Sequence, residues 1–327
     1  MKKSTLIFLI VPVLVLLFFC LKEETPIDSG QPSSADRSCK LVMVGHFYSL
    51  QKYPDLQEIF INEMNEKHSD ADALVLMGDN TILGNKQELI NLFAVLAKIK
   101  TQKFFAPGNH DLRSPASYNA WLQMVGYTSA QKKINNCNLV FLNTINPQLL
   151  DFNDVEMVKG GGLDEQSISL LENLEKKDGE TNLVFMHHAL HSIGLIHPND
   201  EWNDELNRIY ENEKTWREKI QPIIKNKVDT VFVGDLANAS MSRIEIDGIP
   251  YIGNSMSCGF DPNPTTSRQP ISYLVIEVVD GKVNVKIDYL PIPITSDWFK
   301  FDRNHRYEVF KDEYNDEYDR KKYKYPN

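Results

Sequence analysis

Short, mostly apolar runs recur along this chain, and each stops abruptly at a glycine or a polar pair. Leu41 to Val44 gives way to Gly45-His46, and Ala73 to Met77 gives way to Gly78-Asp79-Asn80. Phe104 to Ala106 ends at Pro107-Gly108-Asn109-His110-Asp111. Leu183 to Met186 ends at His187-His188, and Thr230 to Val233 ends at Gly234-Asp235. Leu139 to Leu142 is a further run of the same kind. Runs this short, bounded by turn formers, read as strands covered on both faces. Between them lie stretches with helical spacing, at Leu56 to Met64, Leu89 to Ile99 and Leu163 to Leu174. Strands alternating with helices predict a layered α/β fold.

The pattern changes toward the C-terminus. Arg243 to Ile246, Pro250 to Ile252, Ser272 to Val279 and Val283 to Ile287 are closely spaced strands. Asp247-Gly248 and Asp280-Gly281 separate neighbours, a tight-hairpin signal that predicts antiparallel pairing there. No internal repeat is evident. Beyond Pro293, residues 293–327 turn aromatic and charged and read as a tail, with Trp298, Phe299 and Phe301 as its docking candidates.

The start of the chain stands apart. Lys2 and Lys3 precede an apolar run of 16 residues from Leu6 to Leu21. Residues 1–21 therefore read as a secretory signal or, uncleaved, as an N-terminal membrane anchor. Cys20 adds a third option, lipidation, although Phe19 replaces the small residue that usually precedes such a cysteine. Residues 22–38, rich in Glu, Pro, Ser and Asp, read as a flexible linker. The expected location is the cell envelope, with the globular part at residues 39–292. That part carries three cysteines, Cys39, Cys137 and Cys258, enough for one internal pair or for buried thiols beside strands. No Cys-x-x-Cys spacing is present, so a cysteine zinc site is not expected. Residues 1–20 hold two lysines and no acid, which leaves the remainder with 33 basic and 45 acidic side chains. An acidic body lacks the basic footprint of a general nucleic-acid binder.

Loops after strands are where α/β folds gather functional groups. Five such loops here offer carboxylates, an amide and imidazoles, a donor set suited to a metal. Their order resembles the calcineurin-like metallophosphoesterase family. A strand ending in Gly78-Asp79 is followed by Gly108-Asn109-His110-Asp111, then by a strand ending in His187, then by one ending in Gly234. Gly162-Leu163-Asp164-Glu165-Gln166 and Gly248-Ile249-Pro250-Tyr251-Ile252 support the likeness, which spans roughly residues 40–290. The resemblance implies a four-layer α/β sandwich, two central mixed β-sheets flanked by helices. It implies a metal-dependent phosphoesterase with two ions about 3.5–4 Å apart.

Carried over by position, Asp79 falls on the bridging carboxylate, Asn109 on the amide ligand and His187 on the single-histidine ligand. His110 falls on the histidine that meets the phosphoryl group, with Asp111 behind it to orient the ring. Two motifs depart from the family. Its Asp-x-His reads Val44-Gly45-His46 here, and its Gly-His-x-His reads Gly234-Asp235-Leu236-Ala237. One ion, at positions 44, 46, 79 and 237, would keep only His46 and Asp79. The other would keep Asp79, Asn109, His187 and Asp235. The expected cofactor is one divalent ion, Mn2+ or Mg2+ ahead of Fe or Zn, with the second site lost. His46 then either assists catalysis or packs beside the ion.

Blander readings stand beside these. Asp79 or Asp235 could be turn residues, Gly108 to Asp111 an ordinary turn, and His188, His191 and His197 loop histidines, one of them able to replace a ligand. Leu195 to Arg208 reads as a surface loop near the cleft. Two functions follow: a phosphoesterase acting on an unnamed mono- or diester, or an impaired relative that binds a ligand or partner at the membrane. Oligomeric state is not legible.

Overall fold

The computed structural model describes residues 39–51, 53–145, 162–188, 216–235, 241–254 and 271–293. The N-terminal segments, Leu195 to Arg208, His191, His197, Ala237, Cys258 and all but Pro293 of the tail lie outside these residues.

The first sheet contains β1 (Cys39–Val44), β2 (Ala73–Met77), β3 (Gln102–Ala106), β10 (Ser272–Val279) and β11 (Lys282–Tyr289), in the order β11-β10-β1-β2-β3. β1, β2 and β3 run parallel, and β10 and β11 join antiparallel. The second sheet contains β4 (Ala130–Ile134), β5 (Cys137–Leu142), β6 (Thr181–Met186), β7 (Thr230–Val233), β8 (Ser242–Ile246) and β9 (Ile249–Gly253). Its order is β4-β5-β6-β7-β9-β8, parallel in the middle and antiparallel at both edges. The expected antiparallel character holds for the two hairpins, but β9 lies parallel to β7. Asp247-Gly248 and Asp280-Gly281 all have positive φ, as a two-residue turn matching the twist of its strands requires.

Alternation along each strand explains the layers. Leu41, Met43, Val75, Met77, Leu139, Phe141, Leu183, Phe185 and Phe232 point between the sheets into one core. Their neighbours Val42, Val44, Leu74 and Leu76 point outward under the helical turn α1 (Tyr48–Gln51) and the helices α2 (Pro54–Glu66), α3 (Lys86–Leu96) and α4 (Pro115–Val125). Val140, Leu142, Val184, Met186, Val231 and Val233 point outward on the other side, under α5 (Glu165–Glu172), a π-turn at Trp216–Ile220 and α6 (Gln221–Ile224). Two mixed sheets back to back with helices outside are the four layers the sequence implied. Cys39 and Cys137, the first residues of β1 and β5, form a disulfide that ties one sheet to the other.

Helix ends follow local chemistry. α3 starts earlier than its apolar spacing suggests because Asn85 and Glu88 close a capping box. α4 follows a Ser114–Ser117 box with a proline in its first turn. Asp164 caps α5.

Candidate metal centre

The C-terminal ends of β1, β2, β3, β6 and β7 deliver their loops to one place, and glycines let those loops touch. A Cβ on Gly78 would lie 2.4 Å from His187 Nδ1, and one on Gly108 would lie 2.3 Å from Asp79 Oδ1. Neither position accepts a side chain without moving the loops apart. The β1 and β2 loops are further joined by backbone bonds, His46 N to Gly78 O at 3.1 Å and Tyr48 N to Asp79 O at 3.2 Å. His46 and Asp79 both adopt left-handed backbone, φ 53° and 51°. That conformation costs energy in residues with a Cβ.

The donors converge. His46, His187 and Asp235 each offer a ligand atom, all within 4.8 Å of one another. Asp79 completes the group. Its Oδ2 is 3.3 Å from His46 Nε2 and its Oδ1 is 3.3 Å from His187 Nε2. His46 Nε2 is also 3.5 Å from Asp235 Oδ1. Donors each about 2.1 Å from one ion in a tetrahedral shell stand about 3.4 Å apart; the three contacts are close to this, with Asp79 meeting the two histidines through different oxygens.

His187 provides an independent test of fit. Its Nδ1 lies 2.8 Å from Met77 O, which can only accept, so Nδ1 carries the proton and Nε2 of the neutral ring carries the lone pair. That Nε2 is buried and faces Asp79 Oδ1 at 3.3 Å. A carbonyl fixing the tautomer behind a bare, buried nitrogen is how proteins prepare an imidazole ligand.

Electrostatics agree. Burial works to raise the Asp79 carboxyl, but the charges of His187 and His110 hold it well below the usual carboxylate range. Burial opposes ionisation of Asp235 too, yet its contacts with His46 and His187 bring it to about 2. Burial, the largest single influence, works to lower His187, but the charge and contact of Asp79 together with the charge of Asp235 raise it above its usual value. In the absence of metal a proton thus competes for the space between His187 and Asp79, where a cation would displace it. His188, lowered to about 4 by burial and the neighbouring His187, bonds through Nδ1 to Thr144 Oγ1 at 2.8 Å.

Not every expected residue plays its expected part. His110 stands at the rim, Nε2 4.0 Å from Asp79 Oδ2, with its backbone N donating to Asp79 Oδ1 at 3.0 Å. Asn109 lies half-buried on the same loop. Asp111 does not orient His110. The partner of His110 Nδ1 is Ile82 O at 2.8 Å. Asp111 instead accepts from Asn80 N and Nδ2, Thr81 N and Oγ1, and Gly108 N, at 2.8 to 3.0 Å. It is a knot between two loops. Burial and the Asp79 charge raise its carboxyl to about 6. His46, expected to assist catalysis or to pack beside the ion, lies inside the donor cluster. Val44 is fully buried among the outward apolar residues, where it offers no ligand.

A sequence profile described as calcineurin-like phosphoesterase matches residues 46–239. The chain belongs to this family. The matched residues make up more than half of this calcineurin-like phosphoesterase. No curated protein matches it. Among solved structures it resembles purple acid phosphatase PPD1 from yellow lupin (Lupinus luteus) seeds, at 12% identity and a TM-score of 0.50, over 79% of this chain and 52% of that one. The chain thus spans about half the length of the lupin protein, and the likeness is one of fold. A dimetal phosphatase from Danio rerio is also similar, at 12% identity and a TM-score of 0.49, over 77% of this chain and 99% of that one.

Proposed function

We propose that this calcineurin-like phosphoesterase hydrolyses a phosphomono- or diester at a centre holding a single divalent ion, and that it works in the cell envelope. The observation that carries the reading is the bare Nε2 of His187 facing Asp79, with His46 and Asp235 at matching separations. Asp79, Asp235, His187 and His46 would hold the ion, and family resemblance adds Asn109. Two carboxylates balance a dication. With two imidazoles among the donors, the set is softer than the one of three oxygens and one nitrogen expected from sequence, which favours Mn2+, Fe2+ or Zn2+ over Mg2+. The missing carboxylate at Val44 argues against a second ion.

When bound, a divalent ion supplies Lewis acidity toward a phosphoryl oxygen and makes water more acidic. The chain's own residues do the rest. Ile82 O accepts a hydrogen bond from His110 Nδ1, which leaves Nε2 on the side of the cluster. With Nδ1–H held by Ile82 O, the imidazolium form of His110 carries a second proton on Nε2, which donates to a phosphoryl oxygen or passes to the leaving oxygen. Asp79 and the Asp111 knot hold the His110 loop in register.

The test is steady-state hydrolysis of p-nitrophenyl phosphate and bis-p-nitrophenyl phosphate with Mn2+. His110→Ala is expected to lower kcat by about 100-fold or more while the ion stays bound. Equal kcat for parent and variant would remove His110 from the chemistry.

A second reading has its own support. Val44 packed in the apolar core suits a chain that keeps the fold for ligand binding without turnover. A parent that binds Mn2+ but hydrolyses neither ester would favour it.

Two features support the envelope. One is the apolar segment 1–21, and the other is the Cys39–Cys137 disulfide, a bond that persists in oxidising compartments. Replacing both cysteines by alanine should cost about 2–4 kcal/mol of stability in denaturant unfolding. Recovery of the full chain in the soluble cytoplasmic fraction with both thiols free would reject this location.

A further inference from the structure

The aromatic rings around the centre form a row that the donor set leaves unexplained. His110, Tyr48, His46 and His187 follow one another with centroids 5.5, 5.8 and 5.5 Å apart. Tyr48 is the one ring in this row that is not an imidazole. It is 3% exposed. Its ring meets His46 edge-on at 86° and lies against His110 at 33°. Its backbone N is bonded to Asp79 O at 3.2 Å.

The β1 loop is built to place this ring. Left-handed backbone at His46 reverses the chain after β1. Phe47 then enters the outer core against Phe60, with ring centroids 5.2 Å apart and no exposure. Anchored there, the loop presents His46 and Tyr48 together at the centre. One imidazole beside Tyr48 belongs to the proposed ligand set, and the other is the proposed proton donor at its rim.

From this we infer that Tyr48 is a positioning residue: its ring fixes the spacing and tilt of His46 and His110, so that ligand and proton donor are preorganised around one ion. This rests on the proposed single-ion centre. The contact itself is a property of the chain alone. A buried ring packed on two imidazoles restricts their rotation, as hydrogen bonds do for other ligand histidines. In a family whose fold allows two ions, such a ring suits a centre in which Val44 supplies no carboxylate to the first. The aromatic ring carries the role, so phenylalanine is the conservative replacement.

The experiment uses the full chain with Tyr48→Phe, Tyr48→Leu and Tyr48→Met, each checked for a cooperative unfolding transition. Two readouts are needed, Mn2+ affinity by titration calorimetry and the histidine ring resonances of the metal-free protein by NMR. Tyr48→Phe is expected to bind Mn2+ within about threefold of the parent and to leave all ring resonances in place. Tyr48→Leu and Tyr48→Met are expected to weaken Mn2+ by about 10-fold or more, as losses around a ligand do. In those variants the His46 and His110 resonances should shift and broaden while that of His188 stays. Unchanged affinity and unchanged resonances in a folded leucine or methionine variant would overturn the inference. So would a Tyr48→Phe variant as impaired as Tyr48→Leu, since the phenol rather than the ring would then be responsible. If the parent binds no Mn2+, the single-ion reading fails separately, and the resonances alone decide whether Tyr48 holds the two rings.

Discussion

Asp79 and Asp111 are both buried aspartates, set in the loops that follow adjacent strands, and they do opposite jobs. Asp111 has its oxygens filled by five donors, three from backbone and two from side chains. Asp79 accepts one backbone hydrogen bond, from His110 N, and otherwise faces imidazoles. A carboxylate saturated by fixed donors has nothing left to offer a ligand and serves to hold loops together. A carboxylate ringed by imidazoles retains capacity for a cation. Burial raises Asp111 to about 6, whereas the surrounding positive charge keeps Asp79 ionised. What separates a functional from a structural buried acid here is therefore which groups complete its shell.

Replacing each acid should separate the two roles. Asp79→Ala is expected to weaken Mn2+ binding by more than about 100-fold, beyond the loss seen for outer partners of ligands. Calorimetric titration of Mn2+ into the parent and the variant reads it. Asp111→Ala should instead cost about 3–4 kcal/mol in urea unfolding under chelator, because it strands buried donors of Asn80, Thr81 and Gly108. Asp79→Ala should cost less than Asp111→Ala in the same metal-free assay. If the two variants lose stability equally and metal affinity equally, the division between them fails. Thr81→Val removes one donor from the Asp111 knot, the Oγ1 bond of 2.8 Å. It should cost about 1 kcal/mol and leave Mn2+ affinity unchanged, the smallest effect of the set.

The same contrast explains what was legible in the sequence. Strand runs such as Ala73 to Met77 announce themselves because both faces are covered, so every residue is apolar. The hairpin turns at Asp247-Gly248 and Asp280-Gly281 were readable because few other residues tolerate positive φ twice in succession. β4 was hidden, since an edge strand reading Ala-Gln-Lys-Lys-Ile has little to bury. α4 carried a weak signal in its Ser114-Pro115 start, with serine rather than Glu or Gln closing the box. At the centre, Asp79 and His187 were placed by motif order. Asp111 was misread because four of its five bonds come from Asn80 and Thr81, 31 and 30 residues away, and no local pattern reports them. His46 was undervalued for a related reason. Whether it turns into the cluster depends on its left-handed backbone and on bonds to the β2 loop, which spacing does not encode. Tyr48 was missed altogether. An aromatic residue two positions after a strand-ending histidine was its one available trace.

The most direct test of the account is the metal content of the purified full chain, loaded with Mn2+, dialysed and measured by elemental analysis beside Asp79→Ala. About one ion per chain, lost in the variant, is the expected result for a centre built on Asp79, Asp235, His187 and His46. About two ions per chain, or none in the parent, would contradict it.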